Sequence, residues 1–163
     1  MGADIHVHII QRDLDGKWKS IKLYTKDKNK KFKKINNYPF RDYELFDILN
    51  GNEGDSFPLS PICMPNLPID IYNEIKEAKK PERCCYNFYE VNLADLKLYL
   101  NNHPKVRDYD YESSNDEDFN QNGWKDNPVK FFIERIETIL ELADPYWDFV
   151  PYSNIRIIYW FDC

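Results

Sequence analysis

A chain of 163 residues and 19.7 kDa suits one domain, and it is long enough to bury a core without disulfide or metal staples. Hydrophobic residues at 42% and charged residues at 31% are ordinary for a globular protein and argue against disorder. The net charge of -6 disfavours a nucleic-acid backbone as partner, no apolar run approaches the ~18 residues of a membrane span, and only 5 glycines, none at dinucleotide or P-loop spacing, argue against a phosphate-cradling loop.

The first segment, residues 3–12, ADIHVHIIQR, alternates. Ile5, Val7 and Ile9 point one way; Asp4, His6, His8 and Ile10 point the other. Asp13-Leu14-Asp15-Gly16 predicts a hairpin turn into a second alternating strand, KWKSIKLY, over 17–24. The basic run Lys26, Lys28, Lys30, Lys31, Lys33 and Lys34 follows, with a short edge strand expected at Lys31 to Ile35. Arg41 to Asn50 reads as a short amphipathic helix stopped at Gly51. Residues 52–68 are a loop stiffened by Pro58, Pro61, Pro65 and Pro68. A second helix is expected over Ile69 to Lys79, an aromatic strand over Tyr86 to Val91, and a third helix from Leu93 to about Asn101, capped by Asn92.

Residues 103–127 are polar and acidic with no periodic pattern, which predicts a mobile insertion. Asn127-Pro128 opens the longest helix, to about Leu142, with Phe132, Ile136, Ile139 and Leu140 as its apolar stripe and Asp144-Pro145 as its stop. Asn154 to Asp162, NIRIIYWFD, closes the chain as a strand of strong β composition. Strands at both ends with helices between predict a single α+β domain over 1–163. Its sheet is expected to be largely antiparallel, formed by the N-terminal hairpin and the C-terminal strand, with three to four helices inserted.

Several side chains are placed to bind. Asp4, His6 and His8 share one face of the first strand, and an H-x-H there offers two imidazoles to a metal, to a hydrogen-bonding ligand or to the core. Arg156, Ile158, Trp160 and Asp162 share one face of the last strand: Arg156 suits a phosphate or carboxylate, or an internal Arg–Asp pair, and Trp160 suits a stacked base. Arg41, Tyr43 and Glu44 stand at a helix start, where an anion or a cap fits equally. Cys63, Cys84, Cys85 and Cys163 lack zinc spacing and read as reduced thiols. The N-terminus enters a strand pattern directly, which predicts no signal peptide and a cytoplasmic location.

Four pieces in this order, ADIHVHII with DGKW, RDYELFDIL, PICMPNLPIDI and RIIYWFD, resemble a family of small bacteriophage proteins. Its members carry a CDIH-like strand, a DGKW turn, RNYxLFAIL and a terminal RIVFWFD. Asp42 stands where the family has Asn. The resemblance implies a phage accessory protein in the host cytoplasm that counters bacterial defence. By analogy of class it binds a small nucleotide-derived immune signal, of cyclic nucleotide or cyclic ADP-ribose type, without catalysis, cofactor or metal. Asp4, His6, His8, Arg41, Tyr43, Arg156, Trp160 and Asp162 are the expected ligand contacts, in one copy or across a homo-oligomer, with no membrane and no nucleic acid as partner. Two alternatives stand beside this. One is a phosphodiesterase of the same signal that uses Asp4, His6 and His8. The other is an inhibitor that docks on a host protein through the acids Asp108, Asp110, Glu112, Asp116, Glu117 and Asp118.

Overall fold

The two terminal segments alternate, so pairing them edge to edge satisfies their backbone hydrogen bonds and lines up their apolar residues on one face for helices to cover. The computed structural model describes residues 5–21, 24–26, 29, 32–34, 42–51, 59–63, 65–79, 88–108, 110–112 and 115–161. The strands are β1 (Ile5–Arg12), β2 (Trp18–Ser20), β3 (Tyr24–Lys26), β4 (Phe32–Lys34), β5 (Ile62–Cys63), β6 (Tyr89–Asn92), β7 (Lys105–Arg107), β8 (Trp124–Asp126) and β9 (Ile155–Phe161). The helices are α1 (Tyr43–Asn50), α2 (Ile69–Lys79), α3 (Leu93–Asn102), α4 (Asp116–Asn122) and α5 (Val129–Ala143), with short 3-10 turns at Trp147–Phe149 and Tyr152–Asn154. Five strands form one antiparallel sheet in the order β2-β1-β9-β6-β5, so the chain is a single-domain α+β fold in which the first and last strands are central neighbours.

Local chemistry sets the joints. At the β1–β2 hairpin the Asp13 carboxylate accepts from the backbone N–H of Asp15 (3.0 Å) and Lys17 (2.9 Å), and Gly16 takes φ 78°. Asp42 caps α1 by accepting from Leu45 N–H at 3.0 Å. Gly51 ends α1 at φ 71°, where a Cβ would stand 3.0 Å from the Leu59 carbonyl oxygen.

One sheet face carries Ile5, Val7, Ile9, Ile155, Ile157 and Tyr159 against α1, α3 and α5, which contribute Leu45, Leu49, Leu96, Phe132, Ile136 and Leu140 among others. The buried Tyr159 hydroxyl donates to the Leu49 carbonyl at 2.6 Å and ties the centre of the sheet to the end of α1. The opposite face holds a second, smaller core of Ile10, Phe88, Ile158 and Trp160 under Ile71 and Ile75 of α2.

Three features differ from the sequence reading. The second strand is broken: β2 is short, and β3 pairs with β4 in a separate two-stranded ribbon, so Phe32–Lys34 is not an edge of the main sheet. Residues 62–63, assigned to a loop, pair with β6. The stretch 103–127 contains β7, α4 and β8, with β7 and β8 paired antiparallel. Its order comes from contacts that have no sequence period. Tyr111 donates to Asp118 (3.1 Å), Asn115 accepts from the Asp118 N–H (2.7 Å), and Lys125 forms a 2.6 Å ion pair with Glu44 of α1.

Candidate functional site on the second sheet face

Cross-strand register brings the polar members of the alternating strands into rows. His6 lies opposite Trp160, His8 opposite Ile158, and Ile10 opposite both Arg156 and Ser20. Glu90 lies opposite Ile158 from the other side, and Asn92 opposite Arg156. Residues directly opposite share a face, so His6, His8, Ser20, Glu90, Arg156 and Trp160 occupy one surface of the sheet.

Arg156 is the fixed point of this surface. Its Nε stands 2.9 Å from Glu90 Oε1, and its guanidinium lies 4.1 Å from the centre of the Trp18 ring. A cation stacked on an indole and paired with a carboxylate loses little further freedom on binding an anion. The side chain is 29% exposed, and its terminal nitrogens have no hydrogen-bond acceptor among the described residues. Among the described residues the internal partner is Glu90, and the Arg–Asp pairing expected with Asp162 lies outside them.

Glu90 itself is buried, which pushes its carboxyl above the ordinary range, with Arg156 pulling it partly back. A raised carboxyl holds its proton more tightly in the folded chain than in the unfolded one. This contribution to stability is present below the ordinary value of 4.5 and is lost as pH rises through the folded value. Glu90→Gln, which carries no titrating proton, is expected to gain stability relative to the parent as pH is raised from below 4.5 towards neutrality, read by urea denaturation across a pH series. A difference that stays flat with pH would show that Glu90 is solvated.

The two histidines are built into the face. His6 stacks on Trp160 with ring centroids 5.4 Å apart and planes 8° from parallel. His8 Nε2 is 2.9 Å from Ser20 Oγ, and the Ser20 hydroxyl donates to Glu74 Oε2 of α2 at 2.6 Å. A serine has one proton to give. Spending it on Glu74 leaves Oγ as the acceptor, so His8 Nε2 carries the hydrogen. In that tautomer Nε2 is a donor towards the serine and not its base. Among the described residues no group of three or more His, Cys, Asp or Glu side chains is placed to hold a metal ion.

Of the sequence-predicted contacts, the structure brings together His6, His8, Arg156 and Trp160. Trp160 is 1% exposed, so its ring packs inside the smaller core and is not presented to solvent. Tyr43 is exposed at the start of α1, an element packed on the opposite face of the sheet. Asp4, Arg41 and Asp162 lie outside the described residues, as do Cys84, Cys85 and Cys163, while Cys63 is a free, exposed thiol. Sequence reasoning missed Glu90, Trp18, Ser20 and Glu74 as partners. Glu90 left a signal, as the one carboxylate inside an aromatic strand. Trp18 and Ser20 left another, being on the same side of an alternating segment. Glu74 left none, because only the docking of α2 brings it there.

No helix among the described residues is long and apolar enough to cross a membrane. No family model matches this chain, and neither a curated protein nor a solved structure is similar to it.

Proposed function

We propose that this protein captures a small nucleotide-derived signalling molecule without transforming it, as a phage accessory protein that blunts a bacterial defence signal. The observation that carries the reading is Arg156. It is held by Glu90 and Trp18 in a fixed attitude with its terminal nitrogens turned to no described acceptor, as a phosphate-binding arginine needs to be. The phage origin and the defence role rest on the resemblance of the terminal motifs and on analogy of class. The cytoplasm of the host is the matching location.

The test is a thermal-shift and calorimetric titration of the full chain with cyclic di-AMP, cyclic di-GMP and cyclic ADP-ribose. Each complex is then heat-denatured and the released ligand chromatographed. Capture predicts a higher melting temperature, since binding to the native state alone stabilises it, and release of the ligand intact. Arg156→Lys keeps the charge but loses the planar fork. It is expected to weaken binding roughly tenfold or more, the cost of losing a charge-assisted hydrogen bond, with the melting temperature of the free protein little changed. Unaltered affinity in Arg156→Lys removes Arg156 from the site. Release of a cleaved ligand favours the phosphodiesterase alternative, and no shift with any of the three nucleotides removes the nucleotide reading.

A further inference from the structure

A cavity lies on the other side of the sheet, beneath the tip of the β1–β2 hairpin. It measures about 450 Å³ and is lined by Gln11, Asp13 and Lys19 of the hairpin and by Asp144, Tyr146 and Phe149 of the segment after α5. That volume is in the range that holds small organic ligands. Gln11 is 4% exposed, and its side-chain carbonyl oxygen is buried with no hydrogen-bond partner among the described residues. A buried acceptor without a donor is destabilising, so its presence in a cavity wall calls for a donor that arrives with a ligand. Gln11 stands in the cavity wall, and the terminal torsion of a glutamine is soft.

The remaining lining is of mixed sign with an apolar rim. Asp13 spends one oxygen on the backbone N–H groups of Asp15 and Lys17, Asp144 spends one on that of Tyr146 at 3.0 Å, and neither has a cation partner among the described residues. Lys19 lies directly across the hairpin from Gln11. Arg12, also in the lining, is turned back on the hairpin, its Nε donating to the Gly16 carbonyl at 3.2 Å. Tyr146 and Phe149 are both strongly exposed, with ring centroids 6.4 Å apart.

We infer that this cavity binds a small zwitterion with an apolar body, of the chemistry of a free α-amino acid with an apolar side chain. The ammonium group meets Gln11 and the free oxygens of Asp13 and Asp144, the carboxylate meets Lys19, and the side chain lies on the Tyr146 and Phe149 rings. This site is separate from the Arg156 surface and does not depend on the function proposed for it.

The test is calorimetric titration of the full chain with L-phenylalanine, with phenethylamine, which lacks the carboxylate, and with 3-phenylpropionate, which lacks the ammonium. Saturable binding of L-phenylalanine is expected, weaker binding of phenethylamine, and weakest of 3-phenylpropionate. Gln11→Leu and Asp144→Asn are each expected to weaken L-phenylalanine binding roughly tenfold, the loss of one charge-assisted hydrogen bond. Asp144→Asn keeps an oxygen for the Tyr146 N–H, so the loop holds its shape. Gln11→Leu removes the unpartnered acceptor, so its melting temperature should match or exceed that of the parent, which a purely structural glutamine would not allow. Three results would overturn the inference: no saturable binding of L-phenylalanine to the parent chain, equal affinity in Gln11→Leu and Asp144→Asn, or 3-phenylpropionate binding as tightly as L-phenylalanine. Arg156→Lys should leave this binding unchanged, so the two sites fail or stand separately.

Discussion

Trp160→Ala is expected to lower stability by about 3–5 kcal/mol, the usual cost of emptying a large aromatic site in a closed core, and the melting temperature by roughly 10 °C or more for a chain of this size. The ring has almost no exposed surface, stacks on His6, and packs with Ile10, Ile71, Ile75, Phe88 and Ile158. Removing it takes the largest side chain out of the core between the sheet and α2. Urea denaturation of the purified variant measures the loss. A cost below about 1 kcal/mol would mean that the ring is not closed in by α2, since surface substitutions fall in that range. Lost affinity in Trp160→Ala reports a disturbed core, so Arg156→Lys is the better probe of the site.

Asn127→Ala is expected to cost about 3 kcal/mol, because it strands more than one buried polar group at once. Asn127 is fully buried, donates from Nδ2 to the His103 carbonyl (2.9 Å) and the Tyr99 hydroxyl (3.3 Å), and accepts at Oδ1 from the Val129 N–H (3.0 Å). Its own N–H donates to the Pro104 carbonyl at 3.0 Å. One side chain thus clasps both ends of the β7–α4–β8 insertion and starts α5. Amide hydrogen exchange should accelerate at Val129 and through β7 and β8 in the variant while the central strands β1 and β9 stay protected. Uniform acceleration across the whole sheet would show instead that the insertion and the sheet unfold as one unit.

The same residue shows how far local signals reach. Asn127-Pro128 marked a helix start, because an asparagine before a helix offers an oxygen to a free N–H, and that oxygen does accept from Val129. The donor half of the amide, which closes the insertion on His103, carries no local signal. The acidic stretch between them looked structureless for the same reason. Its order rests on single side-chain contacts, such as Lys125 to Glu44, that connect elements far apart in the chain.

For the candidate site, alternation placed Arg156 and Trp160 on one strand face and His6 and His8 on another, and the register of β1 with β9 made those two faces one. Whether that surface was open was beyond the reach of periodicity. Ile71 and Ile75 of α2 cover the part around Ile158 and Trp160 and turn it into a second core, while Arg156 stays partly exposed, because a helix connected by loops can dock on either side of a sheet.

The sequence by itself determined what short-range patterns encode: the terminal strands, the cap at Asn92, the stop at Gly51, the bounds of α2 and the apolar stripe of α5. Each of these depends on the conformational preference of a residue or on a period within one element. Only the tertiary structure decided that Arg156 pairs with Glu90 and stacks on Trp18, that Trp160 is closed in, and that Gln11 faces a cavity with its carbonyl unpaired. Those outcomes depend on which elements meet across the sheet. That choice is made by burial of apolar area summed over the whole chain, a quantity that no local window contains.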